Sequence, residues 1–154
     1  MIMVETINTR MTDRPEQGAL QILIVEDNRG DVLLVREALR ESDLHFELTH
    51  VADGQEAFEY LQRHSKPGAP RPDLVLLDLN LPKRDGWEIL SEIRGSATLH
   101  DTPVIVLSSS GNPDDRDRAN RTPGAMYIRK PSTFDEYLNV GRQIESFWHA
   151  QQST

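Results

Sequence analysis

Three runs of four consecutive branched apolar residues constrain the fold of this chain more than any other feature. They cover residues 22–25, 74–77 and 104–107. Because none of them alternates with polar residues, each run indicates a strand buried on both faces, as in a parallel sheet covered by helices. Two weaker candidates, residues 46–51 and 125–128, are expected at the edges of that sheet.

Segments with helical periodicity separate the strands, at about residues 30–41 and 55–63. Helix starts are marked by Asp53 with Glu56, Asp85 with Glu88, and Thr133 with Glu136. The segment 112–122 is also predicted to be a helix, although Ala119 is its apolar residue and such a helix has little to bury.

The five strands alternate with helices, which is typical of an open α/β sheet with right-handed crossovers. If the three fully apolar runs are central, the strand order is 2-1-3-4-5. We therefore expect a flavodoxin-like, doubly wound, five-stranded parallel sheet with helices on both faces. Ligands bind at the carboxyl ends of the strands in such sheets, so the residues that follow each run become the candidates for function.

The composition excludes several kinds of chemistry. The 154 residues include no cysteine, which rules out a disulfide framework, a thiolate metal site and a cysteine nucleophile. There are 17 Lys and Arg residues against 25 Asp and Glu residues, giving a net charge of −8. This acidic balance argues against non-specific binding to nucleic acid, which depends on basic side chains.

No apolar run approaches the roughly 18 residues of a membrane span, and we expect a cytoplasmic protein that does not enter the membrane. Residues 1–18 lack the features of a secretory signal and are predicted to form a flexible tail. One domain is assigned to residues 19–150, followed by a short tail at 151–154. Nothing in the composition indicates a linker to a second folded domain.

Polar residues follow the strands at the predicted ligand-binding edge. They are Glu26 and Asp27 after the first strand, Asp78 after the third, Ser108 after the fourth and Lys130 after the fifth. Crowded carboxylates repel one another unless a cation lies among them, and Mg²⁺ prefers such oxygen ligands. We predict that Asp78 attacks phosphorus to form an aspartyl phosphate, while Lys130 and Ser108 hold phosphoryl oxygens.

This set of five residues resembles the receiver domain of two-component response regulators, over residues 20–148. The intervals from Asp78 to Ser108 and from Ser108 to Lys130 match the usual arrangement of that family, and they select Ser108 over Ser109 and Ser110. The interval before Asp78 is longer than usual, and the excess is assigned to a proline-rich surface loop at 65–72.

Further stretches resemble the single-domain response regulators that partner bacterial and cyanobacterial phytochromes. They are residues 25–31, 77–86 and 144–148. The resemblance implies that a histidine kinase, of the bacteriophytochrome type, phosphorylates Asp78. It also implies that Glu26, Asp27 and the backbone carbonyl of Asn80 hold Mg²⁺ together with Asp78. No output domain is expected after Thr154, so the protein is interpreted as a switch that signals by protein contact, not as an enzyme.

Ser108 and Tyr127 resemble the switch pair of the family. Phosphorylation is expected to draw Ser108 toward the phosphoryl group and to vacate space into which Tyr127 turns. Ser108 stands where the family often has threonine, and serine keeps the necessary hydroxyl. For Tyr127, an ordinary aromatic residue of an edge strand is the alternative interpretation. The polar segment 112–122 departs from the usual fourth helix.

The final helix carries a stripe of large apolar side chains at helical spacing, made by Tyr137, Val140, Ile144, Phe147 and Trp148. This stripe is first of all the core face of the helix. Its aromatic end is also predicted to build a homodimer contact, with Tyr137, Ile144, Phe147 and Trp148 on the paired face.

Two other functions are possible for such a sequence. One is a pseudo-receiver that acts only as an interaction module, which the intact acid set opposes. The other is an aspartyl-phosphate phosphatase of the haloacid-dehalogenase kind, suggested by Asp78 and the residues after it, but Asn80 cannot serve as the second acid that such enzymes use. The 5 histidines show no metal-binding spacing and are expected to be surface or internally satisfied residues.

Overall fold

Residues 18–152 of the chain are described from a computed structural model. Strands and helices alternate along them, as the apolar runs predict. Their bounds are β1 Leu20–Val25, α1 Arg29–Arg40, β2 Phe46–Val51, α2 Gly54–His64, β3 Leu74–Leu77, α3 Gly86–Arg94, β4 Val104–Ser108, α4 Pro113–Arg121, β5 Ala125–Arg129 and α5 Phe134–Gln152.

The strands form one parallel sheet in the order β2-β1-β3-β4-β5, which confirms the predicted flavodoxin-like topology. At its centre, Val25 of β1 lies opposite Leu77 of β3, and Leu77 lies opposite Val106 of β4. The direction of winding reverses between β1 and β3. The loops that follow these two strands therefore border a crevice at the carboxyl edge of the sheet, where such folds bind ligands.

Helices cover both faces of the sheet, which explains why the runs 22–25, 74–77 and 104–107 of its central strands contain only apolar residues. On one face, Ile22 of β1 packs in a cluster that includes Val35 of α1 and Ile144 of α5. On the other face, a second cluster includes Leu61 of α2 and Ile89 of α3. The apolar runs therefore supply side chains to two separate cores.

Side-chain caps start the helices where the sequence predicts them. The backbone N–H groups of Glu56, Glu88 and Glu136 donate to Asp53 at 2.7 Å, Asp85 at 2.9 Å and Thr133 at 3.2 Å, respectively. Each bond satisfies a donor that the first turn of a helix leaves without a partner. These capping residues thus serve the fold and need no further role.

The polar segment 112–122 forms α4, as predicted. Asn112 caps this helix by accepting a hydrogen bond from the N–H of Asp114 at 2.9 Å, and Pro113 occupies the first turn, where no amide hydrogen is required. Ala119 is buried, and the guanidinium of Arg118 lies 4.1 Å from the ring centroid of Trp87 on α3. A small apolar side chain and a cation–π contact thus hold this helix to the domain.

The last helix extends past residue 150, where the sequence analysis ends the domain. α5 continues to Gln152. Residues 1–17 of the predicted N-terminal tail and residues 153–154 lie outside the described part of the chain. Among the helices between residues 18 and 152, none is long and apolar enough to cross a membrane.

α5 packs against α1 more closely than an alanine would allow. Gly141 is buried in α5, and a Cβ atom added to it would collide with the backbone carbonyl of Ala38 in α1. A backbone carbonyl inside a helix cannot rotate away as a flexible side chain can. The position therefore requires glycine because of the approach of the two helices, not because of its backbone conformation.

We expect the Gly141→Ala variant to be less stable than the wild type by about 1 to 3 kcal/mol, because the added methyl group forces the two helices apart. The same substitution at an open helical position stabilises a protein by about 0.5 to 1 kcal/mol. Denaturant unfolding measures the difference, with Ser146→Ala on the exposed side of α5 as the control. A stabilised Gly141→Ala variant would contradict the close packing.

Candidate functional site

The acidic residues meet at the crevice between β1 and β3. Glu26 and Asp27 directly follow β1, and Asp78 directly follows β3. The backbone of the parallel sheet extends into this region, since the N–H of Asp78 donates to the carbonyl of Val25 at 3.0 Å and the N–H of Glu26 donates to the carbonyl of Val51 at 3.1 Å. Hydrogen bonds of the sheet therefore fix the backbone positions of Glu26 and Asp78.

The three side chains form a pocket of oxygen ligands. Glu26, Asp27 and Asp78 each offer one carboxylate oxygen, and these atoms lie within 4.8 Å of one another. Glu26 and Asp78 are buried, with 2% and 5% of their surface exposed, while Asp27 is exposed to solvent. A set made only of carboxylates fits a hard divalent cation such as Mg²⁺, and the exposed Asp27 leaves the pocket open to it.

Lys130 reaches the same pocket from the end of β5. Its ammonium nitrogen lies 2.6 Å from Oε1 of Glu26, 2.8 Å from Oδ2 of Asp31 and 3.5 Å from Oδ2 of Asp78. Its side chain is only 9% exposed. One ammonium group therefore faces three carboxylates and binds two of them more closely than it binds Asp78.

Asp31 is a member of the site that sequence reasoning missed. It lies in the first turn of α1, where an acidic residue is sufficiently explained by the capping of the helix, and its own N–H donates to Asn28 at 3.1 Å. Asp31 follows no strand directly, so its place in the chain does not predict that it joins the site. The sequence feature that could have indicated a role for Asp31 is its place within the stretch 25–31, which resembles the phytochrome response regulators.

Burial and neighbouring charges change the protonation of the pocket. Burial raises the pKa of Glu26 to about 8, the hydrogen bond from Lys130 opposes this change, and the charge of Asp78 reinforces it. For Lys130, burial alone would lower the pKa, but its bonds to Asp31 and Glu26 outweigh burial and raise it above the usual value. Lys130 therefore stays charged, while Glu26 holds a proton more readily than an exposed glutamate does.

The loop after Asp78 folds back on its own backbone. The N–H of Asn80 donates to Oδ1 of Asp78 at 3.3 Å, and the N–H of Gly86 donates to the carbonyl of Leu79 at 3.0 Å. A Cβ atom at Gly86 would collide with the carbonyl of Asp78, so the start of α3 lies directly against the acidic residue. Asn80 is thus beside the pocket, and the use of its carbonyl as a metal ligand stays a prediction.

The structure also brings Ser108 and Tyr127 together. Ser108 is fully buried at the end of β4, and its Oγ accepts a hydrogen bond from the N–H of Ser110 at 3.2 Å. The hydroxyl of Tyr127 donates to the carbonyl of Ser110. The N–H of Lys130 donates to the carbonyl of Ser108 at 2.8 Å. Ser108 therefore connects to Lys130 on one side and, through Ser110, to Tyr127 on the other.

The apolar stripe of α5 is placed differently from the predicted dimer face. Tyr137 and Ile144 are 3% and 0% exposed and belong to the core of the protomer. They cannot present surface to a second copy, because the sheet and α1 already cover them. Phe147 and Trp148 pack against the same core but are only partly buried. Any contact between copies through this stripe must therefore use Phe147 and Trp148.

The doubly wound sheet, with three carboxylates and a lysine at the crevice between β1 and β3, defines the class of this protein. It is a flavodoxin-like α/β protein with an acidic pocket beside a lysine. The chain belongs to the response regulator receiver domain family, whose model matches residues 22–140.

Individual relatives narrow this assignment. Response regulator Rcp1 of Synechocystis sp. is 41% identical over 128 residues, covering 82% of this chain and 87% of Rcp1. The crystal structure of the phosphorylated cyanobacterial phytochrome response regulator RcpA is 42% identical with a TM-score of 0.75, covering 85% of this chain and 94% of RcpA. The crystal structure of Mn²⁺-bound Rcp1 is 40% identical with a TM-score of 0.72, covering 83% of this chain and 93% of the Rcp1 chain. The chain is therefore a response regulator related to those of phytochromes.

The raised pKa of Glu26 predicts a pH-dependent stability in the metal-free protein. Its pKa is about 8 in the folded chain against an ordinary value of 4.5. The folded state therefore holds the proton over a range in which the unfolded state has lost it. Stability from this group is present below pH 4.5 and is lost as the pH rises toward 8.

Comparison with the Glu26→Gln variant isolates this effect, because glutamine resembles the protonated acid at every pH. We expect the free energy of unfolding of the wild type to fall relative to that of the variant between pH 5 and pH 8, in about the interval set by the two pKa values. Urea unfolding in the presence of a chelator measures both proteins. Parallel pH profiles of the two proteins would show that burial does not raise the pKa of Glu26.

Proposed function

We propose that this chain is a phosphoryl-accepting switch in which Asp78 receives a phosphoryl group from a histidine kinase in a Mg²⁺-dependent reaction. One observation carries the proposal. Asp78 lies buried at the end of a central strand, in reach of the Lys130 ammonium at 3.5 Å and of two further carboxylates within 4.8 Å. A carboxylate in that setting can bind a cation together with its neighbours, and it has a fixed positive charge beside it.

In this proposal, an oxygen of Asp78 forms a bond to phosphorus while the P–N bond of the donor phosphohistidine breaks. The released imidazole nitrogen takes a proton from solvent, and the aspartyl phosphate remains on Asp78. Glu26, Asp27, Asp78 and the carbonyl of Asn80 would hold Mg²⁺, and the bound ion would offset the negative charge of the phosphoryl oxygens.

Lys130 supplies the second positive charge. In the structure its ammonium is shared among Glu26, Asp31 and Asp78. When Glu26 is used as a metal ligand, Asp31 still anchors the ammonium near Asp78, where it can contact a phosphoryl oxygen. The role of Asp31 is therefore to keep Lys130 near Asp78 when Glu26 binds the metal.

The identity of the kinase is inferred from the relatives. RcpA is a cyanobacterial phytochrome response regulator, and this chain is similar to it over 85% of its length. A phytochrome-type histidine kinase is therefore the proposed donor. The signal would pass onward by protein contact at the surface that Ser108 and Tyr127 control.

The switch would use the contacts of Ser110. Ser108 and Tyr127 both bond to this residue, so a Ser108 hydroxyl drawn toward the phosphoryl group would give up its bond to the Ser110 backbone. The loop that accepts from Tyr127 would then be free to shift. A local change of charge is in this way converted into a change at the edge strand β5.

We expect the wild-type protein, incubated with acetyl phosphate and Mg²⁺, to gain the mass of one phosphoryl group, and Asp78→Asn to gain none, because the amide is not a nucleophile. Intact-mass spectrometry at several times follows the adduct, with chelator in a parallel sample. Asp85→Asn is the matched control, since Asp85 lies nearby, is exposed and caps α3. Asparagine caps a helix about as well as aspartate does.

The same measurement separates the alternatives. A pseudo-receiver would gain no phosphoryl group with or without Mg²⁺. A phosphatase would release phosphate from external phosphomonoesters over many turnovers, which a colorimetric phosphate assay detects. An adduct of equal size on Asp78→Asn would place the modification elsewhere and overturn the assignment of Asp78.

A homodimer through the end of α5 is also proposed, in the reduced form that the structure allows. Phe147 and Trp148 are partly buried apolar residues near the end of the helix. We expect Trp148→Ala to lower the mass of the particle in solution from that of two chains to that of one, because it removes the larger of the two aromatic side chains of the proposed contact. Light scattering after gel filtration measures the mass, with Ser146→Ala as the control. An unchanged mass would contradict this contact.

A further inference from the structure

His50 is a buried polar residue in an apolar layer. It lies near the end of edge strand β2, on the same face as Phe46 and Leu48, and only 2% of its surface is exposed. The neighbouring strand β1 places Ile24 opposite it. An imidazole in such a place costs stability unless it makes a hydrogen bond, so its partner indicates what it is for.

The partner is the backbone of Glu26, the first residue of the acid pair after β1. Nε2 of His50 lies 2.7 Å from the carbonyl oxygen of Glu26. Because a carbonyl oxygen only accepts, Nε2 must carry the proton and donate. The other ring nitrogen, Nδ1, has no hydrogen-bond partner within the described residues. All of the hydrogen bonding seen for this imidazole is therefore directed at Glu26.

Two adjacent residues of β2 consequently hold Glu26 from both sides of its backbone. The carbonyl of Val51 accepts from the N–H of Glu26 at 3.1 Å, and the side chain of His50 donates to the carbonyl of the same residue. That carbonyl belongs to the peptide group that joins Glu26 to Asp27. The orientation of this peptide determines how the two carboxylates of the acid pair are directed.

We propose that His50 is a positioning residue for the divalent cation, acting by fixing the Glu26 to Asp27 peptide through its Nε2–H donor. The inference rests on the proposed function, because it assumes that this acid pair binds Mg²⁺. Residues that orient metal ligands by hydrogen bonds affect metal affinity without touching the metal. A merely structural role would affect stability and leave the affinity of the folded protein unchanged.

The test compares the Mg²⁺ affinity of four proteins by NMR, following the backbone amide of Asp27 during titration with MgCl₂. His50→Leu removes the donor and keeps an apolar side chain. His50→Gln restores an N–H donor at about the reach of Nε2. Phe46→Leu is the matched control, since it lies on the same strand and face, is fully buried, and lies at the other end of β2.

We expect His50→Leu to weaken Mg²⁺ binding by about tenfold, at the low end of the effects known for residues that orient metal ligands. His50→Gln should remain within about twofold of the wild type, because it keeps a donor to the carbonyl. Phe46→Leu should lower the melting temperature and leave the affinity unchanged. Wild-type affinity in His50→Leu, or equal weakening in Phe46→Leu, would overturn the proposal.

A second measurement does not depend on folding of the variants. Long-range ¹H–¹⁵N spectra of the metal-free wild type report which ring nitrogen of His50 carries the proton. We expect a protonated Nε2 and a bare Nδ1, and the reverse would overturn the proposal. Failure of the wild type to bind Mg²⁺ would instead reject the proposed function itself, and with it any role for His50 in metal binding.

Discussion

The contact between one buried ammonium and three carboxylates is the interaction on which the site depends. Lys130 lies 2.6 Å from Glu26, 2.8 Å from Asp31 and 3.5 Å from Asp78. One positive charge faces three carboxylates there, and burial, reinforced by the negative charge of Asp78, raises the pKa of Glu26. Because the charges in the pocket are not balanced, a bound divalent cation or a change of protonation would strongly change its electrostatic energy.

The parallel sheet makes this concentration of charge possible. Its central strands are buried on both faces, so side chains leave the apolar interior only where the strands end. The N–H of Asp78 donates to the carbonyl of Val25, and the N–H of Glu26 donates to the carbonyl of Val51, so the ladders continue into the loops. The acidic residues are therefore held by the same hydrogen bonds that hold the sheet, and His50 adds a side-chain bond of the same kind.

Prediction from sequence succeeded where the cause is local or periodic. Unbroken apolar runs indicate buried strands, and the pairs led by Asp53, Asp85 and Thr133 mark helix starts, because both depend on neighbours in the chain. Prediction failed where the cause is an approach between distant segments. Asp31 and Lys130 are 99 positions apart. The spacing within α5 predicts that Tyr137 and Ile144 lie on its core face, but it does not show that the core buries them almost completely and leaves them no surface for the predicted dimer contact.

The sequence by itself determined the order of strands and helices, the residues that cap α2, α3 and α5, and the identity of the acids, hydroxyl and lysine at the ends of the strands. These follow from periodicity and from the rule that carboxyl ends of parallel strands share one edge. Only the tertiary structure decided that Asp31 shares Lys130, that His50 donates to Glu26, and that Phe147 and Trp148 alone among the predicted dimer residues keep exposed surface. The reason is that burial and pairing depend on which elements pack against each other in the folded chain. The periodicity of a sequence shows which side of a helix or strand is apolar, but it does not show which residues contact that side.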